Sequence, residues 1–161
     1  MKYSLLPAVL AAVAVFQKAP AQTFGTDRHT ITVHVSPITV VKVVGGPVNL
    51  SLTNASFVAG QDQMTITDQT TGLAWGTNSS ARKISVSTNL ATPRFTLKIV
   101  ALNPTRGTAA PEVTLGTVAN DLLLDIGRTS GTCTLMYTGI ALASEGAGTD
   151  THTITFTVQT Q

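Results

Sequence analysis

The C-terminal part of the chain carries the clearest pattern in the sequence, a strict alternation of polar and mostly apolar side chains. Residues 151–160 read Thr-His-Thr-Ile-Thr-Phe-Thr-Val-Gln-Thr. A period of two places Ile154, Phe156 and Val158 on one face and a row of threonines on the other, which is typical of a half-buried β-strand. The pattern predicts that these three residues belong to the closing strand of the domain.

A similar alternation near the other end of the chain predicts a first strand over 29–35, where Thr30 opens the run Thr-Ile-Thr-Val-His-Val. Ser36-Pro37 closes this strand. Its apolar face consists of Ile31, Val33 and Val35. A domain with well-formed strands at both ends of its chain is a candidate for assembly by strand pairing.

The remaining apolar runs are short and separated by turn residues, and no stretch beyond residue 21 carries an apolar stripe at helical spacing over three turns. The predicted strands are 29–35, 38–44, 48–52, 63–67, 73–76, 83–88, 94–102, 112–118, 122–126, 132–142 and 151–158. So many short strands predict an all-β sandwich or barrel. Single-sided apolar faces favour an immunoglobulin-like, Greek-key β-sandwich of about 8–11 strands.

The first residues have the features of an export signal. Lys2 gives a positive start, residues 5–16 form an apolar run, and Ala19-Pro20-Ala21 fits the small-x-small rule for cleavage. The sequence thus predicts a signal peptide over 1–21 and a single β-sandwich domain over 22–161. No later apolar run is long enough to predict a transmembrane segment. We expect a secreted protein, located outside the cell, on its surface or in the periplasm.

The charge balance gives no reason to expect an anionic partner. The chain has 10 Lys+Arg against 8 Asp+Glu, and loss of Lys2 and Lys18 with the signal leaves a formally neutral protein. Without a basic cluster, nucleic acid is not an expected partner. Cys133 is the single cysteine, so no intramolecular disulfide can form. Its alternation with Leu135 and Tyr137 indicates a buried thiol rather than a reactive one.

No motif for catalysis or for a cofactor is present. The run Gly127–Gly131 lacks the spacing of a nucleophile elbow. His29 and His34 lie on opposite faces of one predicted strand, so they cannot chelate a metal together. A metal site in which His152 meets one of them, and a glycosidase pair of carboxylates from distant strands, stay open but are not favoured. The sequence predicts neither an enzyme nor a metal or cofactor site.

Glycan-binding β-sandwiches usually present exposed aromatic side chains. Beyond residue 21 the chain has one Trp, one Tyr and four Phe. Trp75 is in phase with Leu73, which favours core packing over a sugar platform. A glycan or protein receptor is therefore the alternative rather than the first expectation.

The segment Gly25-Thr-Asp-Arg-His-Thr-Ile-Thr-Val-His-Val35 resembles the N-terminal segments of bacterial fimbrial and spore-coat-U-like secreted subunits. The turn Gly148-Thr-Asp-Thr151 and the strand after it are similar to the closing strand of those domains. The chain departs from many such subunits by lacking paired cysteines. The resemblance implies an immunoglobulin-like sandwich that polymerises or takes part in adhesion at a bacterial cell surface, self-associating or binding other surface proteins.

The mechanism implied by the resemblance is β-strand addition, in which an extended segment pairs with a sheet edge and alternate side chains enter the core. The segment that would be exchanged is 26–35, with Ile31, Val33 and Val35 as the inserting residues. The other interpretation is that the segment is simply the first strand of its own domain. The sequence thus predicts a surface or structural subunit, with a monomeric binding module for glycan or protein as the alternative.

Overall fold

The computed structural model describes residues 25–161, apart from the side chain of Asn54. The chain divides into one unit that ends at His34 and a second, compact unit over 35–161. In the first unit, the described residues 25–34 form neither helix nor strand, and all of them are exposed. The second unit contains all the secondary structure of the described residues.

The described residues form nine β-strands and two single-turn 3₁₀ helices. No helix among them is long and apolar enough to cross a membrane. The strands are β1 (Thr39–Val44), β2 (Gln63–Thr77), β3 (Arg82–Thr88), β4 (Thr96–Leu102), β5 (Thr108–Ala109), β6 (Val113–Thr114), β7 (Asn120–Ile126), β8 (Thr129–Leu142) and β9 (Ile154–Thr160). The 3₁₀ turns are Asn54–Ser56 and Ala143–Glu145.

The strands form two antiparallel sheets that pack together as a β-sandwich, as the sequence predicts. The five-stranded sheet has the order β1-β2-β8-β4-β6, and the four-stranded sheet has the order β5-β7-β3-β9. The long strands β2 and β8 pair at the centre of the first sheet. β1 and β6 are therefore the edges of one sheet, and β5 and β9 are the edges of the other.

The core lies between the sheets and is built by period-two burial. Along β8, the side chains of Cys133, Leu135 and Tyr137 are buried, while on the other face Thr132 is exposed and Thr134 is half-buried. This alternation follows directly from the pleat of the strand. The buried core cluster comprises Leu73, Trp75, Ile84, Val86, Ile99, Ala101, Leu115, Leu122, Leu123, Ile126, Cys133, Leu135 and Tyr137.

Several strand predictions are confirmed with small shifts of their ends, and others are wrong. The predicted strands 63–67 and 73–76 are the two halves of β2, which continues through an irregularity between Asp68 and Thr71. Residues 48–52 form no strand, although Val48 and Leu50 pack against the core. Burial can thus produce an apolar pattern in a chain that has no strand partner.

The prediction of a strand at 29–35 is also wrong, because the structure has no strand between 25 and 38. The register of the five-stranded sheet explains this. Thr39 is opposite Thr77, the last residue of β2, and beyond it the chain turns to begin β3 in the other sheet. After Asn78, which bonds to Ile38, β2 has no further described residue to pair with the chain before Ile38, and Pro37 has no N–H to donate.

Candidate assembly site

The edge strands β1 and β9 approach each other along one side of the sandwich. Between them lies an open groove of about 260 Å³, which we call the edge groove. It is lined by Val41, Lys42, Val43, Ile154, Thr155 and Phe156. The predicted closing-strand residues Ile154 and Phe156 thus line one wall of a gap between the two sheets.

The edge groove is apolar on its inner side. Ile154, Phe156 and Val158 are half-buried and pack against the core cluster, and Val41 of β1 does the same from the opposite wall. Val43 is 44 % exposed although it lines the groove. Apolar area is therefore left uncovered where the sheets meet, and further burial of it would be favourable.

The backbone of β9 has an open side. At its two ends, the N–H of Asn89 donates to the carbonyl of Thr153, and the N–H of Gln161 donates to the carbonyl of Ala81. In an antiparallel pair the hydrogen bonds fall on alternate residues. The odd-numbered residues of β9 therefore bond to β3, and the even-numbered residues direct their N–H and C=O groups away from it. Among the described residues, β3 is the only strand that pairs with β9.

β9 also lacks the devices that usually protect a long sheet edge. Its sequence, Ile-Thr-Phe-Thr-Val-Gln-Thr, contains no charged residue and no proline. Edge strands are normally blunted by charge, proline or shortness, because an unpaired edge is a template for another strand. The edges β5 and β6 are only two residues long, and β1 carries the charge of Lys42. β9 is the long, uncharged edge of the sandwich.

The predicted exchange segment, 26–35, lies exposed. We call its alternating part, residues 29–35, the arm. The exposed fractions of its apolar side chains are 74 % for Ile31, 80 % for Val33 and 65 % for Val35. Three large apolar residues on alternate positions of one segment are the pattern that fits a groove between two sheets. Whether the arm is exchanged between copies stays a prediction.

Asn78 holds the chain immediately after the arm. Its side-chain amide donates to the carbonyl of Ser36 at 2.9 Å, and its Oδ1 accepts the N–H of Ile38 at 2.7 Å. Its own N–H donates to the carbonyl of Ile38 at 3.1 Å. We call this arrangement the Asn78 clamp. The sequence gives no sign of it, because the partners are about 40 residues apart.

The loop before β9 is fixed by His152 and Asp150. His152 Nδ1 and Thr88 Oγ1 are 3.0 Å apart, and Asp150 Oδ2 accepts the backbone N–H groups of Arg94 and Phe95, each at 2.8 Å. Burial lowers the pKa of His152, and the carboxylate of Asp150 opposes this shift. His152 therefore contributes to the structure of the loop that precedes β9, through its hydrogen bond with Thr88.

The lowered pKa of His152 makes the stability of the domain sensitive to acid. The unfolded chain takes up a proton near pH 6.5, while the folded chain does so only at a lower pH. The free energy of unfolding should therefore fall as the pH drops through this window. Denaturant unfolding of His152→Gln should show a shallower fall over the same range. An identical pH dependence in both proteins would exclude His152 as its source.

Trp75 is a core residue, as the sequence predicts. Its side chain is 4 % exposed and belongs to the buried cluster. Tyr137 is buried as well, and burial, with a further contribution from the Asp68 carboxylate, raises its pKa to about 12. Neither ring is presented to solvent as a stacking platform for a sugar.

Cys133 is buried on the inner face of β8, and burial raises the pKa of its thiol to about 11. Because the thiolate is the reactive form, the native thiol should react with Ellman's reagent at pH 8 at least ~100-fold more slowly than the thiol of the unfolded protein. Absorbance at 412 nm with and without denaturant measures this ratio. Equal rates would place the thiol at the surface.

The described residues contain no group of three or more His, Cys, Asp or Glu side chains placed to hold a metal ion. The carboxylate of Asp121 is paired with Lys83 at 2.9 Å, and that of Asp125 accepts from the side chain of Gln161 at 3.0 Å. The predicted signal peptide, residues 1–21, lies outside the described residues. No protein-family model, no curated protein sequence and no solved structure matches this chain.

Proposed function

We propose that the protein is a secreted structural subunit of a bacterial cell surface that self-assembles by β-strand addition. The observation that carries the proposal is the coexistence of an exposed arm, with apolar residues on alternate positions, and an unprotected sheet edge beside an apolar groove. Each feature leaves apolar area in water when it stands alone. Joined, they bury that area and satisfy main-chain groups at once.

The two parts have compatible lengths. Extended residues 30–35 span about 20 Å, and the seven residues of β9 span about 23 Å. Each Ile or Val side chain transferred from water into the groove contributes roughly 1.5–3 kcal/mol before the cost of association. Three such residues, together with the main-chain hydrogen bonds of one added strand, supply the favourable terms that offset the cost of association.

The proposal includes two finer points. One is the immunoglobulin-like, Greek-key class, supported by two antiparallel sheets in which the consecutive strands β2 and β3 lie in different sheets. The other is export, supported by the charged start, apolar run and Ala19-Pro20-Ala21 of the first 21 residues. A role in adhesion follows from the resemblance to fimbrial subunits.

Light scattering on the protein starting at Gln22, over a range of concentrations, tests the proposal, with peak fractions imaged by negative stain. The expected result is a concentration-dependent ladder of species or filaments. A monomer at every concentration would contradict self-assembly and favour the alternative, a monomeric secreted module that binds a glycan or a protein.

A further inference from the structure

The Asn78 clamp occupies the main-chain groups that the arm would need to fold back. In a two-residue hairpin with Ser36-Pro37 as its loop, the N–H and C=O of Ile38 would both pair with Val35. In the structure, the N–H of Ile38 donates to Asn78 Oδ1, and the carbonyl of Ile38 accepts from the N–H of Asn78. A two-residue hairpin of the arm onto β1 is therefore incompatible with the clamp.

The φ angles of Ser36 and Pro37 also argue against a two-residue hairpin. Two-residue hairpins use turns whose first loop residue has a positive φ. Among the described residues other than glycine, positive φ angles occur only at Ala81, Asn103 and Asp125, so Ser36 does not have one. Pro37 is fixed near −65° and cannot supply a left-handed conformation either. Ser36 and Pro37 lead the chain onward instead of reversing it.

Pairing of the arm with β9 of its own copy would require the same reversal of the chain. β1 begins at the end of the sandwich where β9 finishes, because Thr39 lies opposite Thr77, and a short turn joins Thr77 to Arg82, which lies opposite Thr160. An arm lying beside its own β9 would have to turn back between Val35 and Ile38. A second copy imposes no such turn.

The chemistry of the arm matches β9 better than it matches β1. The outer face of β9 presents Thr155 and Thr157, and the arm alternates Thr30, Thr32 and His34 with its apolar residues. An added strand would continue the polar row on the outer face, where Thr–Thr cross-strand pairs are favourable. On the inner side, Ile31, Val33 and Val35 would meet the half-buried apolar residues of the edge groove. β1 would instead place Lys42 next to the added strand.

We infer that the Asn78 clamp directs the arm to the β9 edge of a second copy and away from the edges of its own domain. The inference rests on the proposed function. It adds the surface of the second copy that the arm would bind, and it names the residue that directs the arm there. Asn78 is a positioning residue in this account. It does not contact the partner, and it acts by holding Ser36 and Ile38.

A cysteine pair tests the partner surface. The variant T32C/T157C places one thiol on the arm and one on the outer face of β9, while Cys133 is buried. Mild oxidation should give disulfide-linked dimers and higher species on a non-reducing gel. The matched control T32C/T132C, whose second thiol lies at an equally exposed position on the central strand β8, should give at least ~10-fold less. A fast-migrating, internally linked monomer of T32C/T157C would overturn the inference, because the arm would then lie on its own β9.

The clamp is tested by adding Asn78→Ala to T32C/T157C. Loss of the side-chain hydrogen bonds should shift the ratio of internal to intermolecular disulfide by about tenfold toward the internal form. Asn120→Ala is the control, because its side chain donates two hydrogen bonds to the carbonyls of Thr114 and Val118 and none to Ser36 or Ile38. Intermolecular links that are unchanged by Asn78→Ala would overturn the clamp and leave the proposed function standing. No link of either kind, together with a monomer in light scattering, would overturn both.

Discussion

A Val33→Asp variant should fold like the parent protein and fail to assemble. Val33 is 80 % exposed, so the substitution should change the free energy of unfolding by no more than about 0.5 kcal/mol. In the assembled state the same side chain would enter the apolar edge groove. Burying an unpaired carboxylate there costs several kcal/mol, so the dissociation constant should rise at least ~100-fold.

Thr32→Asp is the matched control for this prediction. It adds the same charge one residue away, and in an added strand it lies on the outer, solvated face. Light scattering on the two variants should give a monomer for Val33→Asp and parent-like species for Thr32→Asp. Equal loss of assembly in both variants would indicate general charge repulsion. Parent-like assembly in both would show that the arm does not insert its apolar face.

Leu135→Ala should lose about 2–5 kcal/mol of the free energy of unfolding, the largest stability effect that we expect from a single core substitution. Leu135 is 0 % exposed and lies on β8, the strand between β2 and β4 at the centre of the five-stranded sheet. The substitution removes three carbons from a packed interior between the two sheets, and the strands on either side cannot move in to fill the space.

Urea unfolding followed by the fluorescence of Trp75 measures this loss, because Trp75 belongs to the same buried cluster. Thr132→Ala is the control on the same strand, because its side chain is exposed on the other face of β8. Its midpoint should change little. Similar losses for the two variants would contradict the inward orientation of Leu135 and with it the register of the central strands.

The sequence predicts the long inner and edge strands well because their burial is one-sided. β8 and β9 show period-two alternation over most of their length, and the pleat converts that pattern into one buried face. Burial of Trp75 and Cys133 follows from the same phase relation. In these elements the local pattern and the tertiary packing agree, so the sequence alone is sufficient to predict the strand and its buried face.

The prediction fails where a strand needs a partner that the fold does not provide. Residues 29–35 alternate as clearly as β9. Among the described residues they have no strand to pair with, because β2 ends at Thr77 and the chain then begins β3 in the other sheet at Arg82. Similarly, of the predicted strand 112–118 only Val113–Thr114 pairs with β4. Alternation reports which residues could share a face. It does not report whether a neighbouring strand exists.

The candidate site is predictable only in part, for the same reason. Ile154, Phe156 and Val158 are identified from their pattern, as are the apolar residues of the arm. The opposite wall of the edge groove, Val41 and Val43, comes from an antiparallel sheet order that the sequence does not specify. The Asn78 clamp depends on contacts across about 40 residues, and Asn in a turn is ordinarily explained by turn geometry alone.

Amide hydrogen exchange along β9 tests strand addition most directly, because it reads the backbone groups that the added strand would bond. The comparison is between the assembled parent protein and Val33→Asp, with exchange resolved at each residue by NMR or by fragmentation. In the parent, the N–H groups of Phe156 and Val158 should exchange slowly, and in Val33→Asp they should exchange at least ~10-fold faster. Thr155 and Thr157, which bond to β3, should be protected in both. Equal exchange at Phe156 and Val158 in the two proteins would contradict the addition of a strand to the β9 edge.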